Sequence, residues 1–153
     1  MLTKPKAGWT DFSLPGTGVY GLSYLDDIPF DWIEQAIHGL ETMLPFCVKG
    51  FLEPRRMVCV VSYWNCYVTV ENDERQLLKE GDFTHAYSHT SMLEFCKALY
   101  EDINADVDEW ADFVDYQNED REEKKRRLRE KLARLREWIK EREEWFGENR
   151  CFL

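Results

Sequence analysis

The run FCVKGFLEPRRMVCVVSYWNCYVTVEND, residues 46–73, decides the fold. It holds three short stretches rich in β-branched and aromatic residues: Phe46–Leu52, Arg55–Tyr63 and Cys66–Val70. Glu53-Pro54, the neighbourhood of Asn65, and Glu71-Asn72-Asp73 punctuate them as turns. Connections this short join antiparallel strands, because a parallel pair needs a crossover of a dozen or more residues. The stretch therefore predicts an antiparallel meander, which a further short strand near Gln76–Lys79 would extend.

Upstream, Gly18–Leu25 (GVYGLSYL) follows a glycine-containing turn and reads as the first strand, after an irregular lead-in of about fifteen residues pinned by Trp9 and Phe12. Asp27 then offers an N-cap oxygen, Pro29 fits a first helical turn, and Asp31 suits the positive end of a helix dipole. Ile33, Ala36, Ile37, Leu40 and Leu44 recur at helical spacing, so a helix is expected to end near Leu44-Pro45. Downstream, Ser91-Met92-Leu93-Glu94 is a capping box, and Met92, Cys96, Leu99, Ile103, Val107, Trp110 and Val114 trace one apolar stripe from it. Asn118 can cap a last helix in which Leu128, Leu132, Leu135, Ile139 and Phe146 follow alternating spacings of four and three, broken by Arg142. Two helices of about 25 residues, roughly 38 Å each, joined near Gln117 predict an antiparallel hairpin. Its fold point sets Glu101, Asp102, Asp106, Asp108 and Glu109 opposite Lys124–Lys131. The expected architecture is one α+β domain over 1–153. Residues 1–90 supply an antiparallel sheet of four or five strands with one helix after the first strand, and 91–148 supply the hairpin.

Charge bounds the partners. Residues 1–118 hold 8 of the 20 Lys+Arg but 20 of the 30 Asp+Glu, a local net of −12, within a chain of 153 residues and net charge −10. Such a surface repels nucleic acid and anionic membranes and draws in basic proteins. The run KKRRLR (Lys124–Arg129) reads as a solvated helix face, because Glu122–Arg126, Glu123–Arg127 and Glu130–Arg134 are oppositely charged pairs four apart. No N-terminal stretch joins a basic start to an apolar run, and no segment approaches the roughly 20 apolar residues of a membrane span, so a cytoplasmic, non-membrane protein is expected.

No motif specifies catalysis. Asp102-Ile103-Asn104-Ala105-Asp106 opens like a calcium loop, but Val107 stands where the sharp turn needs glycine and Phe113 where a bidentate glutamate belongs. His85 and His89 with Cys59 and Cys66 lack the tight paired spacing of a zinc site. A Cys66–His85 dyad can be written down, yet five cysteines and three histidines generate many such pairs. There is no phosphate loop, GxSxG or GxGxxG. No catalytic residue, metal ligand or cofactor is expected; a cryptic enzyme built on the His85/His89 loop is the third reading.

The candidate surface is the start of the first helix. Asp26, Asp27, Asp31 and Glu34 fall within nine residues that hold no base, interleaved with Tyr24, Phe30 and Trp32, and Tyr63, Trp64 and Tyr67 extend the patch. Acids steer encounter and buried rings supply affinity, which suits capture of a basic protein. The same pattern fits Trp32, Trp64 and Tyr67 as core, with the acids capping and solubilising. SYLDDIPFDWIEQAI (Ser23–Ile37) and VSYWNCYVTVEND (Val61–Asp73) resemble a loose group of small acidic bacterial proteins, over about residues 9–115. Some of that group serve as immunity proteins against polymorphic or contact-dependent toxins. The resemblance implies a non-enzymatic α+β protein that inactivates a cognate toxin by covering it. A homo-oligomeric scaffold associating through the C-terminal charged helix is the alternative.

Cys47, Cys59, Cys66, Cys96 and Cys151 include no CxxC pair and read as reduced thiols. Unfolded without reductant, the chain should titrate five thiols, and elemental analysis should find no stoichiometric zinc. One equivalent of tightly held metal would make His85 and His89 ligands.

Overall fold

Alternation of buried and exposed side chains builds the main sheet. The computed structural model describes residues 1–71, 80–114 and 120–149. Along them lie β1 (Trp9–Phe12), β2 (Tyr20–Ser23), α1 (Ile28–Thr42), β3 (Phe46–Phe51), β4 (Arg56–Val61), β5 (Cys66–Glu71) and β6 (Phe83–Ser88). The helices α2 (Met92–Ala105), α3 (Val107–Ala111) and α4 (Arg121–Asn149) follow. The fold is α+β: β3-β4-β5-β6 form an antiparallel sheet, and β1 and β2 form a separate antiparallel pair. The expected meander supplies the first three strands of the larger sheet. Phe46, Val48, Met57, Cys59, Val61, Cys66, Val68 and Val70 point to its inner face and are buried.

α1 lies against that inner face, where buried Phe46 comes up beneath Gly39. α4 then packs on α1 and α2. Its narrow stripe, Leu128, Leu132, Leu135 and Ile139, is buried, and each such side chain stabilises the fold by about 1.5–3 kcal/mol. The Ser91 capping box forms: the Glu94 backbone N–H donates to Ser91 Oγ (3.3 Å) and the Ser91 N–H to Glu94 Oε2 (2.8 Å). Among the described residues no helix is long and apolar enough to cross a membrane.

The structure departs from the sequence reading in definite places. The lead-in contains a strand: the turn at Ala7-Gly8, both at positive φ, folds residues 2–6 back on β1, and the Leu14–Thr17 turn then returns the chain so that β1 pairs with β2. The helix expected after the first strand therefore follows the second, and the strand near residue 20 stands outside the main sheet. The fourth strand of that sheet is β6, which takes up His85, a residue read as part of a loop; the strand expected at Gln76–Lys79 lies outside the described residues. The apolar stripe from Met92 is not one helix. It breaks at Asp106, whose N–H turns back to the Ile103 carbonyl (3.3 Å), and the residues around Gln117 lie outside the described set. The expected facing of acids and bases also changes. Asp102 accepts the Leu2 N–H (2.7 Å), while Asp106 and Glu109 hold Lys4 (3.1 and 2.6 Å), so these acids fasten the N-terminal segment rather than the last helix.

Gly39 supplies a test of the α1–sheet contact. A methyl group there would overlap the buried Phe46 ring, so Gly39→Ala should destabilise by about 1–3 kcal/mol through overpacking. Ordinary helix propensity would give the opposite sign, a gain of about 1 kcal/mol. Urea unfolding distinguishes the two.

Candidate acidic and aromatic binding surface

The surface at the start of α1 is assembled by the small sheet. Gly8 sits at φ +77, and a Cβ there would lie 2.8 Å from the Tyr24 ring, so only glycine lets Tyr24 fold back over this turn. Trp9, next in the chain, is 40% exposed and Tyr24 is 37% exposed, with Leu25 exposed beside them. Asp26 is buried, its Oδ1 3.4 Å from Lys49 Nζ, and its Oδ2 has no hydrogen-bond partner among the described residues. Asp31 reaches solvent in the first turn of α1. Partial desolvation and the neighbouring Asp26 carboxylate push its carboxyl up, with Lys49 opposing. Asp27 precedes the helix, but its side chain makes no capping bond; its carbonyl instead accepts the Asp31 N–H (2.9 Å).

Two expected members go elsewhere. Trp32 is 1% exposed, stands edge-on to Phe12 (5.2 Å), stacks on Phe95 (6.2 Å) and donates its Nε1–H to the Lys49 carbonyl (2.8 Å). It is core, one helical turn from Ala36, and no partner reaches it. Glu34 is ion-paired with Lys131 of α4, and this hydrogen bond holds its carboxyl below the usual range. The structure thus sets Asp26 beside Asp31, and Tyr24 and Leu25 precede them in the chain; Trp9, after the Gly8 turn that Tyr24 covers, is the exposed ring the sequence reading did not include. A signal for Trp9 stands in the sequence: in Trp-Thr-Asp-Phe after Gly8, alternate residues turn inward and outward.

The Glu34 bridge belongs to a clamp between α1 and α4. The Arg127 guanidinium lies 5.2 Å over the Phe30 ring, Arg134 is 3.8 Å from Glu41, and Arg142 donates to the carbonyls of Leu40 (2.7 Å) and Glu41 (3.0 Å). Arg142 breaks the apolar stripe because it serves the carbonyl end of α1. The basic run is likewise engaged within the chain. Lys124 Nζ donates to the Val114 carbonyl (3.2 Å), Lys125 pairs with Asp108 (3.1 Å), and Arg126 pairs with Glu123 and Glu130.

No family model, no curated protein and no solved structure matches this chain. By strand register Cys66 faces inward and His85 outward, so the two do not meet as a dyad. Hydrogen bonding to Cys66 and burial push the Cys59 thiol up, and burial does the same to Cys96, the reverse of an activated nucleophile. Among the described residues no group of three or more His, Cys, Asp or Glu side chains could hold a metal ion. A cleft of about 600 Å³ lies between the Ser13–Gly16 loop, the Tyr87–Thr90 segment and α2, but its carboxylate, Glu94, is turned into the capping box.

Glu34→Gln tests the clamp. A carboxyl held low contributes stability above its unfolded value of 4.5, and loses it as pH falls through the folded value. For so exposed a pair the variant should cost no more than about 1 kcal/mol at pH 7. The difference from the wild type should vanish by about pH 2 in paired urea melts.

Proposed function

We propose that this protein is a non-enzymatic binding module that captures a basic protein partner through Trp9, Tyr24, Leu25 and Asp31, with buried Asp26 behind them. Following the bacterial group it resembles, the partner is a toxin domain that it neutralises. The observations that carry the reading are the exposed Trp9, Tyr24 and Leu25 at the β1–β2 end and the exposed Asp31, whose carboxyl is pushed up by desolvation and by Asp26. A partner cation seated against Asp31 would relieve that repulsion, and the rings would supply the anchor. The cations of α4 offset the patch only in part, through Lys131, because Glu34, Glu41, Asp108 and Asp112 hold Lys131, Arg134, Lys125 and Arg121. The net charge of −10 then steers a basic partner inward.

The same reading takes α2 and α3 with α4 as one antiparallel hairpin. Its support is the opposed order of the ion pairs Lys97–Glu143, Asp108–Lys125 and Asp112–Arg121 along the two segments. A cytoplasmic setting is supported by the buried free thiols Cys59, Cys66 and Cys96. The alternative, self-assembly through α4, is disfavoured by the burial of that helix's leucine stripe in the chain's own core.

The test is co-expression with a toxin domain encoded beside the gene, together with association kinetics of the purified pair. Asp31→Lys should slow association and flatten its salt dependence, while Trp9→Ala should weaken binding by about 2 kcal/mol or more, chiefly through faster dissociation. Both variants should melt within about 0.5 kcal/mol of wild type. Unchanged rates and salt slope would remove this face as the interface, and failure of the wild type to protect would end the immunity reading.

A further inference from the structure

The sheet has a second face that the helices leave uncovered. By register, Val60, Tyr67 and Tyr87 form one row across β4, β5 and β6, and Val58, Thr69 and His85 form the next. Tyr67 is 41% and Tyr87 46% exposed, and Val58 is exposed on β4 in the next row. The rings lie flat on one another rather than standing into solvent: Tyr67 stacks on His85 at 5.4 Å and 23°, and His85 on Phe83 at 6.4 Å and 30°. An antiparallel sheet commonly keeps one face wet, but then it carries polar side chains there. This one carries valine and stacked rings.

Charge decides what fits it. Among the described residues the charged groups on this face are paired: Arg56 binds Glu71 through Nε (3.0 Å) and Nη2 (2.5 Å), and Lys49 turns to Asp26 at the β3 edge. On a chain of net −10 the described part of this surface is thus neutral and aromatic. It offers a basic partner no unpaired acid, and a polyanion no unpaired cation, among those residues. A second copy of the chain brings the same neutral surface, and this is where two strongly acidic molecules meet without facing acid against acid. Two-fold pairing makes such a patch self-complementary.

We propose that the outer face of the four-stranded sheet is a self-association surface on which a second copy docks sheet on sheet. Four strands of six residues give a footprint of about 20 by 20 Å, with facing sheets about 10 Å apart. That is about 400 Å² per partner, half a standard-size interface, so the dimer is a weak one in exchange with monomer. This surface adjoins the Trp9–Asp31 patch at the Lys49–Asp26 pair, and its test needs no toxin.

The experiment is sedimentation equilibrium of the whole chain from about 1 to 300 μM, at about 0.15 M and 1 M NaCl, beside Tyr67→Glu and Tyr87→Glu. Both tyrosines are exposed on different strands, so a thermal melt at the wild-type midpoint for either gives a valid comparison. The expected result is a wild-type mass that rises toward twice the chain mass with concentration, persists in high salt, and stays at one chain in the variants. A wild type that remains monomeric to 300 μM overturns the proposal. So does a dimer that both folded variants retain, or one that high salt dissolves, which would point to the charged face of α4.

Discussion

The docking of α4 is the constraint on which the rest of the structure depends. Its first half, residues 121–136, carries nine cations against three acids, at the end of a helix whose dipole is already positive. A helix so charged is poorly made for standing alone. It is made for a seat lined with carboxylates, and Glu34, Glu41, Asp108 and Asp112 provide one on α1 and α3. Between these pairs the leucine stripe closes the core over Trp32, Phe95 and Leu99. Exposed pairs are worth little one by one, so they set where α4 lies while the apolar stripe supplies the stabilisation.

What the sequence disclosed follows from how locally each element is specified. Phe46–Val70 was legible because its strands alternate and its turns are short. β6 was not, since the inward residues of Phe83–Ser88 are Thr84, Ala86 and Ser88, and only pairing with β5 makes them a strand. The break at Asp106 was hidden because Val107 and Trp110 continue the apolar spacing through it, and Trp110 turns its Nε1–H back to the Asp102 carbonyl (3.3 Å). Trp32 was legible and misjudged: Trp32, Ala36 and Leu40 lie at successive intervals of four and all are buried. Glu34 had no local signal, as its partner Lys131 lies 97 residues away.

The acids of the chain accordingly divide into two kinds. Glu34, Asp102, Asp106, Asp108 and Glu109 are structural, each fixed by a cation or a backbone N–H of another element. Asp31 is different, because the chain crowds it with Asp26 and gives it only the distant help of Lys49 and Lys131. Composition treats all thirty alike. Only their partners separate the charge that holds the molecule together from the charge it presents to others.

Arg142 carries a consequence for synthesis. The carbonyls that end α1 are satisfied by a guanidinium that follows about 100 residues later. A ribosome adding about 5–20 residues per second takes some 5–20 s to deliver it. Throughout that interval the end of α1 is open and the side of α1 turned from the sheet lacks the lid of α4. The N-terminal half thus emerges as an unfinished surface, exposed to chaperones and to other nascent chains, and becomes native only when translation of the last helix is complete.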